Sequence, residues 1–306
     1  MIHHTPVLYD EVLQQVPLHA RYIADGTLWY GGHSIGILRM LHERRTTDIH
    51  YYGLDIDPEV FAIGREHILT ALTTESDSVI SPDRCHFIPA SYTTLATVCQ
   101  TDAVQLDYIL LDVGVNMHHF KQADRGFSTK YDGPLDMRFV PTYRRTAQDI
   151  IMSSATQYLA ELWMKYGDFS PGMSKKIAEG IYTYRKSTLI DTTWKLVDAL
   201  QHIGLSDSKI AVIFQCLRIE VNGELDHLTD FMNLLPDMLA EGGVCSLISF
   251  HSIEDKIIKQ GCKKLCDTGA FEMLSKHVIT PTRSEISINP PSRSAKLRGI
   301  RKIVSQ

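Results

Sequence analysis

Three aspartates each end a strand-like apolar run in the first part of the sequence. Asp25 ends the run that begins at Ile23, Asp55 ends the run 49–54, and Asp112 ends the run 106–111. Strands that alternate with helices form a parallel sheet whose carboxyl ends meet at one edge. We therefore expect the three carboxylates to line one crevice, although each alone could be a helix cap or a turn residue.

A glycine-containing loop, residues 26–34, follows Asp25 and leads into a helical pattern. Backbone N–H groups and the helix dipole can approach a ligand closely in such a loop. The loop lacks the G-x-G-x-x-G spacing that admits a pyrophosphate, and Asp55 stands where a nucleotide site has its ribose acceptor. S-adenosylmethionine carries no phosphate, and its charged groups suit a carboxylate such as Asp25. The pattern favours a methyltransferase over a dehydrogenase, with an ordinary strand-to-helix turn as the alternative for the loop alone.

The composition is that of a globular protein with one large core and an insertion or second small domain. The chain has 306 residues, 44% hydrophobic and 22% charged, with a net charge of −5. This charge indicates no general affinity for nucleic acids, so any polyanion site must be a local patch. No signal peptide or membrane span is predicted, and the expected location is cytoplasmic. The six cysteines are scattered, and Cys262 and Cys266 lack a second pair, so we predict no metal site.

The alternation of strands and helices stops near residue 117 and resumes near residue 206. Helix patterns cover 147–166, 174–184 and 191–200 between these points. We predict one α/β domain formed by residues 1–116 and 206–306, interrupted by a helical domain at 117–205. Its basic side chains, which either grip phosphates or form a solvated face, are Lys175, Lys176, Arg185 and Lys186.

Three features near the ends of predicted strands leave alternatives open. Tyr92, beyond the third strand, either stacks on an adenine or is a surface tyrosine. His251, after the late strand 244–250, either touches substrate or is structural. The segment 293–302 holds five cations and no acid, so it either contacts RNA phosphates or solubilises an edge strand.

Several blocks, in order across nearly the whole chain, resemble one family. They are Asp25-Gly26-Thr27 with Gly31-Gly32-His33-Ser34, Asp55-Ile56-Asp57-Pro58, Leu111-Asp112-Val113-Gly114, Asp132-Gly133-Pro134-Leu135-Asp136-Met137-Arg138, and Ser249-Phe250-His251-Ser252. The chain with these blocks resembles the RsmH (MraW) family of S-adenosylmethionine-dependent 16S ribosomal RNA cytosine-N4 methyltransferases. The resemblance implies a Rossmann-like class I methyltransferase with an inserted all-helical substrate-recognition domain.

The resemblance also implies which residues bind S-adenosylmethionine. The positions expected to bind it are Asp25, Gly31, Gly32, His33, Asp55, Tyr92, Asp112 and His119. Tyr92 replaces the usual Phe of the family and His119 the usual Gln. Trp29-Tyr30 replaces Gly-Arg, and Asn116-Met117 replaces Ser-Ser. These departures concern the cofactor and target crevice rather than the fold.

The expected chemistry is methylation of an exocyclic amine whose lone pair is delocalised into the cytosine ring. Hydrogen-bond acceptors must draw the amine toward sp³ geometry. The expected catalytic residues are Asp112, with a backbone carbonyl of the turn 112–116 as the alternative acceptor, and Asn116, whose side chain is the second acceptor. The base must leave its stack, so an aromatic clamp is expected from Trp29, Tyr30 and Phe127, with core packing the alternative for Phe127. Arg138 and Arg218 are further substrate-binding candidates, which either bind phosphate or brace the domains. His251 is the last candidate for a substrate contact.

The expected partner is the small ribosomal subunit through its 16S RNA. One competing hypothesis is a catalytically altered family member that serves as an RNA-binding ribosome assembly factor. Another is an amino methyltransferase that acts on other RNA or on DNA. The sequence leaves open the target nucleotide, the need for an assembled subunit, the oligomeric state, a homodimer included, and a bacterial or organellar host.

Overall fold

The computed structural model describes residues 5–74, 80–115, 117–143 and 145–304. The chain forms two compact units, Met1–Gly114 with Leu225–Gln306, and Val115–Glu224. The strands are β1 (Tyr22–Asp25), β2 (His50–Leu54), β3 (Cys85–Ile88), β4 (Leu106–Asp112), β5 (Leu239–Ser249), β6 (Phe271–Met273) and β7 (Lys296–Lys302). The helices are α1 (Tyr9–Gln15), α2 (Gly32–Glu43), α3 (Pro58–Thr74), α4 (Leu95–Asp102), α5 (Met117–Lys121), α6 (Ala147–Ser153), α7 (Thr156–Gly167), α8 (Pro171–Tyr184), α9 (Thr193–His202), α10 (Asp207–Asn222), α11 (Glu224–Met238), α12 (Ser252–Asp267) and α13 (Arg283–Ile288). None of these described helices is long and apolar enough to cross a membrane.

The first unit is built on one sheet with the strand order β3-β2-β1-β4-β5-β7-β6. Strands β1 to β5 are parallel, and β7 is antiparallel to both β5 and β6. This arrangement confirms the α/β, Rossmann-like fold. The direction of strand addition reverses between β1 and β4, and in open α/β sheets ligands bind at the carboxyl ends of the strands beside such a reversal.

Helices cover both faces of this sheet, which explains why its central strand is almost wholly apolar. Residues of β4 from Tyr108 to Leu111 have no solvent exposure. One hydrophobic cluster joins the sheet to α4, α11 and α12 through side chains such as Leu95, Phe231 and Ile258. The second cluster joins the opposite face to α1, α2 and α3. The packed layers fix the positions of the strand ends that carry the aspartates.

The second unit is helical in its described part, as the sequence predicts. Trp163 of α7 is completely buried, together with Ile177 of α8 and Leu196 of α9. Two of these helices begin at side-chain caps, because the hydroxyls of Ser170 and Thr192 accept backbone N–H groups of α8 and α9. The unit therefore has a hydrophobic core of its own.

The boundary predicted at residue 206 is wrong. Residues 206–224 belong to the second unit, where α10 packs on α6, α7 and α9. From the sequence we expect the alternation of strands and helices to resume near residue 206. The segment that follows is helical, and its buried residues Ile210, Ile213, Phe214 and Leu217 have the i, i+3, i+4, i+7 spacing of a helix face. Short apolar runs are ambiguous, and here the helical period was the correct signal.

The cationic segment at the end of the chain is not an edge strand, because β7 lies between β5 and β6. The ammonium of Lys296 and the guanidinium of Arg298 each lie 2.9 Å from a carboxylate oxygen of Asp255. Arg301 pairs with Glu272 at 3.2 Å. Lys302 donates to two backbone carbonyls. These four cations therefore bind partners within the fold, and we do not propose them as an RNA contact.

The ion pair between Arg298 and Asp255 makes a stability prediction. Both side chains are 14% exposed, so Arg298→Gln leaves a mostly buried carboxylate with one partner fewer. We expect a loss of about 1–3 kcal/mol, measured as a lower midpoint of urea denaturation. Arg301→Gln is the matched control on the same strand, because its pair is about half exposed and contributes about 0–1 kcal/mol. Equal midpoints for the two variants would show that burial does not strengthen the Arg298 pair.

Candidate functional site

The loop between β1 and α2 ties three strand ends together. The backbone N–H of Thr27 donates to Asp25 Oδ1 at 3.1 Å. The backbone N–H of Trp29 donates to Asp55 Oδ2 at 3.0 Å, and its indole Nε1 donates to the carbonyl oxygen of Asp112 at 2.9 Å. The expected convergence of the three aspartates is thus realised around one loop.

Asp25 is a buried carboxyl, 2% exposed, at the end of β1. Its Oδ2 accepts the hydroxyl of Ser34, which also lies 2.7 Å from the hydroxyl of Tyr51. Burial raises the pKa of Asp25 to about 7, while hydrogen bonds from Ser34 and Thr27 act in the opposite direction. The group therefore changes its charge near neutral pH.

Asp55 at the end of β2 is also buried and accepts two backbone N–H groups. Trp29 donates to one of its oxygens, and the N–H of Asp57 donates to the other at 2.9 Å. Burial raises the pKa of Asp55 to about 7, and the neighbouring negative charges of Asp57 and Asp25 add to the effect. Asp57 in turn accepts the N–H of Glu59 at 3.0 Å and so fixes the start of α3.

Asp112 at the end of β4 is the least satisfied of the three. It is 4% exposed, and its Oδ1 has no hydrogen-bond partner in the described part of the chain. Its Oδ2 lies 3.9 Å from Nδ1 of His33, whose Nε2 is 2.9 Å from the Val7 carbonyl oxygen. Burial, followed by the charges of Asp25 and Glu254, raises the pKa of Asp112 well above its usual range. A contact between this oxygen and a ligand stays a prediction.

Two glycines allow the loop to pass this close to the strands. Gly31 has φ +75°, a left-handed conformation just before α2. A Cβ atom at Gly26 would lie 2.3 Å from Cδ2 of Leu111 and 2.7 Å from Cβ of Tyr92. A Cβ atom at Gly32, which is also expected to bind the cofactor, would lie 2.6 Å from Cγ of Pro6. Larger residues would therefore displace the loop from the strand ends.

Thr27 and Ser34 contribute to the site although the sequence did not single them out. The hydroxyl of Thr27 accepts the backbone N–H of Asp112 at 2.7 Å, so it links the ends of β1 and β4. Ser34 links Asp25 to Tyr51 of β2. The only signal in the sequence was the presence of hydroxyl residues between the aspartate and the glycines.

Tyr92 lies beside Gly26, since a Cβ atom on Gly26 would be 2.7 Å from Cβ of Tyr92. Its ring packs edge-on against Phe231, with the centroids 5.6 Å apart and the planes at 89°. A ring fixed in this way offers a firm stacking surface. Adenine stacking on Tyr92 stays a prediction.

The expected base clamp is only partly supported in the first unit. Trp29 is half-buried and has φ +46°. Tyr30 is 6% exposed and stacks on His67, so it presents little ring surface to a base, and we withdraw it from the clamp. His251 caps α12, since its Nδ1 accepts the N–H of Glu254 at 3.4 Å. The structure therefore gives His251 a structural role, and a substrate contact stays a prediction.

The second unit places His119 against two aromatic rings that also contact each other. His119 is 1% exposed, and its ring centroid is 5.1 Å from that of Phe127 and 5.2 Å from that of Phe139. Phe127 is 3% exposed and stacks on Phe139. Phe127 is therefore a core residue, as the alternative prediction stated, and we no longer assign it to the base clamp. A cofactor contact by His119 stays a prediction.

Both arginines expected to meet substrate are engaged within the second unit. Arg138 forms a two-point contact with Asp136, at 2.8 and 2.7 Å, and donates to two backbone carbonyls. Arg218 forms a similar contact with Glu224, at 2.8 and 3.0 Å. These contacts support bracing rather than phosphate binding. Asn116, the second expected catalytic residue, lies outside the described residues.

Comparisons with known proteins agree with the motifs. The family model of the MraW methylase family matches residues 1–303. Ribosomal RNA small subunit methyltransferase H of Coprothermobacter proteolyticus is 35% identical, over 98% of this chain and 96% of that protein. The proteins of the same name from Persephonella marina and Leptospira biflexa are 34% and 36% identical, over 99% and 98% of this chain and 100% and 95% of theirs.

The raised pKa of Asp25 makes a prediction about stability and pH. A carboxyl with a pKa of about 7 when folded and an ordinary, lower pKa when unfolded binds more protons in the folded state. Its contribution to stability is present below the unfolded pKa and is lost as pH rises toward 7. We expect Asp25→Asn to gain stability relative to the unsubstituted, cofactor-free protein between pH 5 and 7, by up to about 1.4 kcal/mol per pH unit.

Urea denaturation at pH 5, 6, 7 and 8 measures this difference. Asp48→Asn is the control, because Arg84 lowers the pKa of this exposed carboxyl and leaves it ionised throughout the range. A difference between the Asp25 variant and the unsubstituted protein that is independent of pH would disprove the assignment.

Proposed function

The chain belongs to the MraW methylase family, and we propose that it transfers a methyl group from S-adenosylmethionine to N4 of a cytidine in small-subunit ribosomal RNA. The names of its relatives support the substrate class, and the resemblance of its motifs to the cytosine-N4 enzymes supports the atom that is methylated. The proposed partner is the small ribosomal subunit, and the proposed location is the cytoplasm.

The residues of the first unit suit S-adenosylmethionine chemically. The cofactor supplies an electrophilic methyl group on a positively charged sulfur. Buried carboxyls at the ends of β1, β2 and β4 supply hydrogen-bond acceptors, and in the proposed arrangement Asp55 accepts the ribose hydroxyls. At Gly26 the loop passes so close to Leu111 of β4 that no side chain fits there.

The observation that carries the proposed chemistry is the unsatisfied Oδ1 of Asp112. An exocyclic amine becomes more nucleophilic when acceptors receive hydrogen bonds from its N–H groups in a geometry that favours an sp³ nitrogen. The nitrogen lone pair is then less delocalised into the ring. A buried, fixed acceptor is more effective than water, since it needs no reorganisation during the reaction. In the proposed mechanism Asp112 orients the amine, and Trp29 holds the Asp112 backbone through the 2.9 Å indole hydrogen bond.

Neither competing hypothesis has an observation in its favour. An assembly factor without catalysis would have no need of a buried, unsatisfied acceptor at the end of β4. An enzyme for another RNA or for DNA would share this site, but no relative reported above carries such a name. Substrate competition with small subunits, total RNA and DNA separates the second hypothesis from the proposal.

The direct test is methyl transfer from labelled S-adenosylmethionine to small ribosomal subunits that lack the modification, followed by mass spectrometry of the nucleosides. We expect labelled N4-methylcytidine. Asp112→Asn should lower kcat by about 100-fold or more, the typical cost of removing one preorganised polar contact to a transition state. Binding of the cofactor, measured by calorimetry, should persist if Asp112 acts on the amine.

Asp107→Asn is the matched control, because Asp107 lies near the start of β4, at the amino end of the strand and away from Asp112. Its carboxylate accepts the backbone N–H groups of Arg21 and Tyr22. It should retain full activity. Full activity in Asp112→Asn would remove Asp112 from the mechanism. Cofactor binding without methylation of any cytidine in the unsubstituted protein would refute the proposed function.

A further inference from the structure

Two large aromatic side chains of the second unit are more than half exposed. Tyr131 is 52% exposed and Trp194 is 54% exposed. By contrast Trp163, in the same unit, is completely buried. Exposed aromatic groups that lie together on a globular protein mark interaction sites. Neither ring takes part in the chemistry proposed above.

The backbone holds these two residues next to each other. The hydroxyl of Thr193 donates to the carbonyl oxygen of Tyr131 at 2.9 Å, and the N–H of Trp194 donates to Oδ1 of Asp132 at 3.1 Å. The N–H of Thr193 also donates to the carbonyl oxygen of Gly133 at 2.9 Å. The loop that carries Tyr131 is therefore fixed to the start of α9, and the two aromatic side chains leave neighbouring points of a rigid scaffold.

Two exposed lysines lie in the same unit, one of them next to Tyr131 in the sequence. Asp132 accepts the Trp194 N–H and keeps its negative charge, whereas Asp191 is paired with the ammonium of Lys195 at 2.6 Å. Lys121 and Lys130 are exposed, and no described residue forms an ion pair with either. Their two ammonium groups offer the phosphates of a polyanion a local contact on a chain whose net charge is −5.

A cavity of about 480 Å³ has Tyr131, but not Trp194, in its wall. The same wall contains the buried rings of Phe127 and Phe214 and the two exposed lysines. Its volume lies within the range of small-molecule sites. An aromatic surface, an apolar cavity and cations at the rim together match the base and phosphate of a nucleotide.

We propose that Tyr131 and Trp194 form a stacking platform for unpaired bases of the RNA substrate, with Lys121 and Lys130 contacting the adjoining phosphates. Unpaired RNA bases stack on exposed aromatic rings, whereas bases in a duplex are not available to them. The platform rests on the proposed function, since it names how the second unit recognises the RNA of the small subunit. It recognises single-stranded RNA through base faces, largely independently of sequence.

The first test measures binding of a fluorescein-labelled 12-nucleotide oligouridine to the full-length protein. We expect Trp194→Ala and Tyr131→Ala each to weaken binding by about 5- to 100-fold, the effect of losing one stacked base. Trp194→Phe should restore most of the affinity. Leu189→Ala is the matched control, because Leu189 is apolar, 53% exposed and in the same unit but has no ring. A 12-base-pair RNA duplex should bind the unsubstituted protein and both alanine variants equally.

The dependence of binding on salt separates stacking from charge. The slope of log affinity against log salt should be unchanged in the two aromatic variants. It should become shallower by about 0.7 in Lys130→Gln, since one phosphate contact to a single strand is lost. Unchanged oligouridine affinity in both alanine variants would overturn the proposal, as would an equal loss in Leu189→Ala.

Two further measurements separate this inference from its alternatives. In methylation assays, Trp194→Ala should raise the KM for small subunits and leave kcat within about twofold. The lost contact stabilises the bound substrate and the transition state equally. If sedimentation shows that Trp194→Ala dissociates a dimer while RNA affinity is unchanged, the platform is instead a contact between copies of this chain. If the unsubstituted protein binds oligouridine through the platform but methylates no cytidine, the proposed function fails and the platform stands.

Discussion

The burial of three carboxyls at one edge of a parallel sheet is the constraint on which the rest of the structure depends. A buried carboxylate without compensation is costly, so each group must be hydrogen-bonded, protonated or supplied with positive charge. Asp25 and Asp55 are hydrogen-bonded by the loop after β1, and burial still raises the pKa of each to about 7. Asp112 is compensated least. The site is thus arranged for a positively charged ligand that carries hydrogen-bond donors.

The loop after β1 explains how such a site is held in place. Thr27 and Trp29 together contact the ends of β1, β2 and β4 through four hydrogen bonds between 2.7 and 3.1 Å. A displacement of this loop would therefore change the surroundings of all three aspartates at once. At Trp29, where the sequence departs from the family pattern, the indole anchors the backbone of Asp112.

The sequence predicted those parts of the fold that depend on local pattern and failed where distant contacts decide. Strand β4 has the predicted bounds because an uninterrupted β-rich run is buried on both faces. The segment 293–302 has a charge pattern that suits an edge, but its cations meet Asp255 and Glu272, which are far away in the sequence. Likewise nothing local distinguishes Tyr30 or Phe127, which are buried, from Tyr131 and Trp194, which are exposed. Whether an aromatic ring is a core residue or a surface residue is a property of the packed chain.

A protein with a net negative charge and its RNA substrate repel each other, and the two units limit this repulsion in different ways. Three buried carboxyls in the first unit add no exposed negative charge, and their raised pKa values reduce their ionisation near neutral pH. In the second unit Asp191 is paired with Lys195, while Lys121 and Lys130 remain exposed. Base stacking, unlike phosphate contact, is insensitive to the long-range repulsion between net charges. A protein of net charge −5 can therefore hold RNA through a few aromatic faces and a local pair of cations, without the extended basic surface of a general nucleic-acid binder.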